Sequence, residues 1–282
     1  MHWQLIASVD VLMDISRLTQ SKMIGPLLRS LNRKRRRFEQ KRRRRSWERL
    51  KGCCSGQRGW VIGNGPSLKV EDLDRLQGEV CIASNKIYLA FEQTKWRPTF
   101  FTIVDEILWP KIADVCAKHF SRIIIPEYLT TENKELESKL LYLHELPPAS
   151  CDPAVECMFS PDLVAGSNGG YTVTYTNLQL AHHLGLNPIY IIGCDHYYAG
   201  ENDVTTEEVV EAKAANHFHP DYRKQGELVS PASIDRMDLA FEHARTFADQ
   251  NGIRILNATR GGHLEAFERV QFDDVLNEPT PK

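Results

Sequence analysis

From Gly59 onward the chain alternates short β-branched runs with longer mixed segments, and this alternation is the strongest constraint on its fold. The runs "WVIG", "VCIASN", "FFTIVD", "RIIIP", "LLYLHEL", "IYIIGCD" and "IRILNA" read as strands. Helical segments are expected at about 70–76, 108–119, 131–139, 169–184 and 233–250. Strands separated by helices pair in parallel, because each crossover carries the chain back to the same edge. The expected fold is therefore α/β: a single Rossmann-like domain with a largely parallel sheet. The segment 169–184 places Val173, Leu180, Ala181 and Leu184 on one face and ends at Gly185, while 233–250 opens at Ser233 as N-cap and stops at Gly252. The stretch of about 199–231 is long, irregular and acidic at first, which suits a lid inserted in the domain.

Four strand ends finish in polar side chains, and a parallel sheet brings them to one edge. "GWVIGNGPSL" runs from strand into a loop in which Gly63 and Gly65 permit close backbone approach, while Asn64 and Ser67 offer hydrogen bonds. That loop is neither a GxGxxG fingerprint nor a phosphate-binding GK[ST] loop. As an alternative, the Gly-Pro pair only turns the chain and Ser67 caps the helix that follows. Ser84-Asn85, Asp105-Glu106 and Asp195-His196-Tyr197-Tyr198 end the other three strands. Asn85 and Asp105 have capping as an alternative role, and Tyr197 or Tyr198 has packing. Ligands of open α/β sheets bind beyond the carboxyl ends of the strands, where backbone amides meet phosphate.

"VIGNGPSL", "IASNKIYL", "TIVDE" and "LAHHLGLNPIYIIGCDHYY", in that order, resemble the MptE-like family, named for the archaeal 6-hydroxymethyl-dihydropterin pyrophosphokinase. The same string is similar to the bacterial sialyltransferases of the lipooligosaccharide type, over residues 58–275. The second resemblance implies a glycosyltransferase of cell-surface glycan assembly that takes a CMP-sugar and a glycan acceptor and requires no metal. Asn64 and Asn85 then match asparagines that hold CMP, Ser67 shares their loop, and Tyr197 matches a tyrosine on the departing phosphate. Ser167, Asn168, Gly169 and Gly170 stand where further nucleotide contacts are made, and Tyr198 and the loop amides are assigned to the leaving group beside Asp195. The family's catalytic histidine falls near Val229 or Ser230, where this chain has none; His217 and His219 are the nearest substitutes as base. The pyrophosphokinase resemblance implies instead ATP with Mg²⁺ held by Asp105, Glu106 and Asp195. A third possibility is a nucleotide-binding, membrane-associated protein without catalysis.

Ahead of this domain the charge is lopsided. The whole chain has a formal charge of -2, yet Arg29 to Lys51 holds thirteen Lys/Arg against Glu39 and Glu48. Residues 1–57 read as an amphipathic and basic helical arm, with Trp3, Leu5, Ile6, Val9, Leu12, Met13 and Ile15 at roughly helical spacing and 58–282 as the transferase domain. A solvated helix is the plain expectation; an anionic membrane surface is the next partner, and nucleic acid ranks below it. Seven cysteines without CxxC or zinc-like spacing suit reduced thiols in the cytoplasm, with peripheral attachment to the inner face of the membrane. No signal peptide or membrane span is read in the first thirty residues.

Overall fold

The computed structural model describes residues 40–148, 152, 157–198, 210–211, 216–224, 226–229 and 232–277. Two compact units divide the chain, Met1–Ser46 and Trp47–Lys282. In the first, residues 40–46 are helical and mostly exposed; most of the expected arm lies outside the described residues. The second begins at Trp47 rather than at residue 58, and packing gives the reason. The Trp47 side chain is buried, its Nε1 donates to the Tyr142 carbonyl at 2.9 Å, and its own carbonyl is bonded to His183 Nε2 at 2.9 Å.

Eight strands make one parallel sheet. Five run outward from the centre: β1 (Gly59–Ile62), β2 (Val80–Ser84), β3 (Phe100–Thr102), β4 (Ile123–Pro126) and β5 (Leu140–Leu143). The chain then returns to pair β6 (Ile189–Ile192) with the free side of β1, and adds β9 (Ile255–Asn257) and β10 (Glu268–Arg269) beyond it. The order is β10-β9-β6-β1-β2-β3-β4-β5, so the direction of winding reverses between β1 and β6. Two short strands, β7 (Val210–Glu211) and β8 (Leu228–Val229), form a separate antiparallel pair within the expected lid, most of whose other residues before 216 lie outside the described ones. Sequence reading placed no strand at β7, β8 or β10, which are two residues each and too short for periodicity to register.

The twofold alternation of strand side chains separates two cores. Trp60, Ile62, Ala83, Phe101, Ile123, Ile125 and Ile192 fill one face, under helices α1 (Val70–Arg75), α2 (Trp109–His119), α3 (Lys134–Glu137) and, after β10, α6 (Phe272–Asn277). Val61, Ile82, Ile124, Leu141, Ile189 and Ile191 fill the other, against α4 (Val173–His183) and α5 (Ile234–Asn251). Both faces are covered, which is why β1, β4 and β6 are buried at every residue.

Helix ends depart from the expected ones for local reasons. α4 starts at Val173, not 169, because Thr172 is its N-cap and accepts the Thr174 amide through Oγ1. It is also buried nearly all round instead of on one face, being set between the sheet and α5. Asn133 caps α3 through Oδ1, shortening the expected 131–139 helix to one turn. α5 ends at Gly252 in the left-handed region, as expected, but Ser233 sits at its N-cap without a side-chain bond. α1 has Lys69 at its N-cap, so Ser67 does not cap it.

Candidate functional site

The reversal of strand order leaves a crevice at the carboxyl ends of β1 and β6, where loops from the two strands diverge. A cleft of about 670 Å³ opens there. Of the sequence-predicted residues, Gly63, Asn64, Gly65, Asn85, Asp105, Ser167, Asn168, Gly169, Asp195, Tyr197, Tyr198 and His217 all border it. Ser67 and His219 do not.

The glycine loop is built for closeness to protein. A Cβ on Gly63 would fall 2.2 Å from the Gly193 carbonyl oxygen, and one on Gly65 would fall 1.9 Å from Asp195 Oδ2. The amides of both glycines donate to β6 and its loop, Gly63 to the Ile192 carbonyl and Gly65 to that of Gly193, each at 2.8 Å. Asp195 completes the clasp: its Oδ2 accepts from the Ser67 hydroxyl at 2.8 Å and from the Ser67 amide at 3.3 Å. The glycines admit the neighbouring loop, Ser67 is a partner of Asp195 and does not border the cleft, and the Asp195 carboxylate ties the two loops together.

Two asparagines of these loops border the cleft. Asn64 Nδ2 donates to the Ser84 carbonyl at 3.2 Å, which leaves Oδ1 buried with no partner. Asn85 Oδ1 is likewise buried and unpartnered, and the amide neighbours the Tyr222 hydroxyl. Neither asparagine caps a helix. Asp105 Oδ1 accepts the amides of Ile107 and Leu108 at 2.9 and 2.8 Å, closing the turn ahead of α2, whose N-cap is Leu108. Among the described residues no group of three His, Cys, Asp or Glu side chains is placed to hold a metal ion.

Backbone strain collects around the same opening. Asn85, Tyr171 and His196 have φ of 56, 57 and 52, the only non-glycine residues in the left-handed region among those described, and all three border the cleft. Such a conformation costs about 1–2 kcal/mol for an ordinary side chain, less for Asn, and persists only where the surroundings enforce it. Tyr171 is held by Arg236, whose guanidinium donates to its hydroxyl at 2.7 Å and lies over the ring at 4.9 Å. His196 Nε2 is bonded to Asp238 Oδ1 of α5 at 2.6 Å.

Charge divides the cleft. On the β3–β5 side, Asp105, Glu106 and Glu145 surround Tyr128, whose hydroxyl is pushed up by burial and by those carboxylates; burial also raises Glu145. On the other side stand Arg223 and His217. His217 stacks on Tyr222 with ring centroids 3.7 Å apart, and burial, aided by Arg223, pushes its pKa down to about 3 while a bond to the Asn64 carbonyl opposes the fall. His217 is therefore a neutral and very weak base, contrary to the ordinary imidazole expected of it. His219 accepts the Asp221 amide at Nδ1 at 3.1 Å and caps a short 3₁₀ turn outside the cleft. Sequence reading passed over Tyr128, Glu145, Tyr171, Tyr222, Arg223 and Asp238, and named His196 in the strand-end motif without giving it a role.

No family model and no curated protein matches this chain. Among solved structures it is similar to the UDP-glucose 4-epimerase of Thermotoga maritima, determined with UDP-glucose, at 11% identity and a TM-score of 0.24, covering 71% of this chain and 54% of that one. The chain thus spans about half the length of that enzyme.

Proposed function

We propose that the cleft binds a nucleotide-linked donor and that the protein transfers its glycosyl group to a hydroxyl acceptor in cell-surface glycan assembly, with a CMP-linked keto-sugar as the donor. The observation that carries the reading is the pair of buried, unpartnered oxygens, Asn64 Oδ1 and Asn85 Oδ1, at the crevice where strand order reverses. Buried acceptors without donors are rare and costly, and a ligand rich in donors satisfies them. Ribose hydroxyls and the exocyclic amine of cytosine are such donors. The choice of CMP rests on the resemblance of the strand-end motifs. In the transfer, the bond from the anomeric carbon to the phosphate breaks and the electron pair leaves with CMP, so donors near that oxygen lower the barrier. Tyr197, half exposed at the rim, and Arg223 supply them.

Thermal unfolding with CMP, CTP and ATP with or without Mg²⁺ tests this. A ligand at 100 times its Kd stabilises by ~2.7 kcal/mol. CMP or CTP should raise the melting temperature without metal, and product formation should survive EDTA. Stabilisation by ATP only, and only with Mg²⁺, would replace this reading with pyrophosphoryl transfer; none from any nucleotide would remove it.

A further inference from the structure

We propose that His196, held by Asp238, is the proton-accepting group of the cleft, in place of the histidines of the 217–219 stretch. The assignment of the imidazole stands on its own geometry. Its use on an acceptor hydroxyl rests on the glycosyl-transfer reading.

An ionised carboxylate only accepts hydrogen bonds, so at 2.6 Å from Asp238 Oδ1 the Nε2 of a neutral His196 carries the proton and Nδ1 carries the lone pair. Nδ1 makes no hydrogen bond among the described residues, and His196 borders the cleft. The imidazole itself is 4% exposed while Asp238 is 55% exposed. The charge that would balance an imidazolium thus stays solvated, and the ring is fixed edge-on to Phe241 at 5.5 Å.

The backbone supports the same assignment. His196 holds φ 52, a left-handed backbone uncommon outside glycine, and the contacts of its neighbours fix the loop. The carbonyl of Asp195 accepts the His263 amide at 2.7 Å, Gly262 packs directly against the Asp195 backbone, and the Asp195 carboxylate is tied to Ser67. A side chain aimed by so many constraints is not an incidental core histidine. The ionisable groups near it are Asp238 on α5, Asp195 and Tyr197 on its own loop, and His263, whose ring lies 5.2 Å from Tyr197. The other histidines lack the means: His217 is a base of pKa about 3, and Nδ1 of His219 is already engaged.

In the transfer step, the acceptor hydroxyl gives its proton to His196 Nδ1 as its oxygen bonds to the anomeric carbon, while the bond to the phosphate oxygen breaks and CMP leaves with the electron pair. The imidazolium is stabilised by Asp238, a positioning residue, and releases the proton to water after departure.

Two measurements test this with the full-length protein. The first needs no substrate: acylation by diethyl pyrocarbonate, which requires an accessible neutral imidazole nitrogen, is followed residue by residue by peptide mass spectrometry. His196 should react in the folded protein, and several-fold more slowly in Asp238→Asn, whose amide no longer fixes the tautomer. An inert His196 under conditions that acylate the exposed histidines, or an unchanged rate in Asp238→Asn of parental melting temperature, overturns the proposal. The second compares the parent with His196→Gln for CMP affinity and for CMP release from CMP-N-acetylneuraminate with a lactoside acceptor. Turnover should fall about 10²–10⁴-fold with CMP affinity within about twofold of the parent, the split expected of acid–base work. Retained kcat in His196→Gln overturns the assignment while leaving glycosyl transfer standing. A reactive, Asp238-dependent His196 in a protein that binds no CMP removes glycosyl transfer and leaves the proton acceptor in place.

Discussion

An amide oxygen shut away from water without a donor costs about 1–3 kcal/mol, and two such oxygens, on Asn64 and Asn85, border one cleft. Asn85 adds a left-handed backbone to its orphaned oxygen. Asn85→Gly removes both burdens at once, so the ligand-free protein should melt no lower than the parent while nucleotide affinity falls at least about tenfold, equivalent to ~1.4 kcal/mol. Calorimetry with and without CMP checks both halves; a lower melting temperature with unchanged affinity would make Asn85 an ordinary turn residue. The asparagines were legible in the sequence because each follows a β-branched run, and a parallel sheet carries every such end to one edge. His196 was half legible, lying in the same motif, but Asp238 was not: forty-two positions separate the pair, and no local pattern announces a bond between a loop and a helix face. His217 was legible as a residue but not as a base, because its pKa is set by burial that only the folded chain reveals.

At the scale of elements, the β1 and β6 loops form one interlocked unit, and the two glycines should respond differently to a methyl group. Gly65→Ala meets chiefly the Asp195 side chain, whereas Gly63→Ala meets the Gly193 backbone. Both should destabilise by about 1–3 kcal/mol, the usual cost of overpacking. Adding Asp195→Ala should recover part of the loss for Gly65→Ala and none for Gly63→Ala. Urea denaturation of the singles and doubles gives the coupling energies; equal coupling at both positions would refute the clasp. The major strands and the two long helices were visible in the sequence as runs and periodic faces. The wider core was hidden because Trp47 enters it from a basic segment, where thirteen cationic residues mask one aromatic anchor. The expected helix begins at 169, ahead of the observed start at Val173, since Thr172 capping α4 and the left-handed Tyr171 leave no periodic trace.

For the whole molecule, buried histidines set the response to acid. His183, with its side chain sealed, and His217 are both held below the ordinary imidazole value near 6.5, first by burial. The unfolded chain binds these protons more readily, so their contribution is fully present above pH 6.5 and is lost as pH falls below it. Glu227 and Asp162, lowered by hydrogen bonds and neighbouring cations that outweigh burial, add a further loss as pH falls below about 4.5 and 3.8. Urea midpoints should therefore decline in two stages from pH 7 to 3, and His217→Gln should flatten the first; an unchanged profile would refute the role of His217. No helix among the described residues is long and apolar enough to cross a membrane. The basic segment Arg29 to Lys51 is expected to bind anionic vesicles with a reach of ~8 Å at physiological salt. Protein starting at Trp47 should keep its fold and nucleotide affinity but lose salt-sensitive co-sedimentation, and equal sedimentation of both forms would dismiss the membrane. The reversal of winding has a consequence for synthesis on the ribosome. β1 lies in the middle of the finished sheet, yet Gly59 waits for Ile189 before its second side is paired. While β1 through β5 emerge, the side of β1 that β6 will cover stays unpaired, and long-range parallel pairing is slow to close. Chaperone demand and nascent-chain aggregation should therefore peak just before β6 emerges and drop once it docks, so a translational pause placed shortly upstream of Asn187 would harm yield more than the same pause after Tyr198.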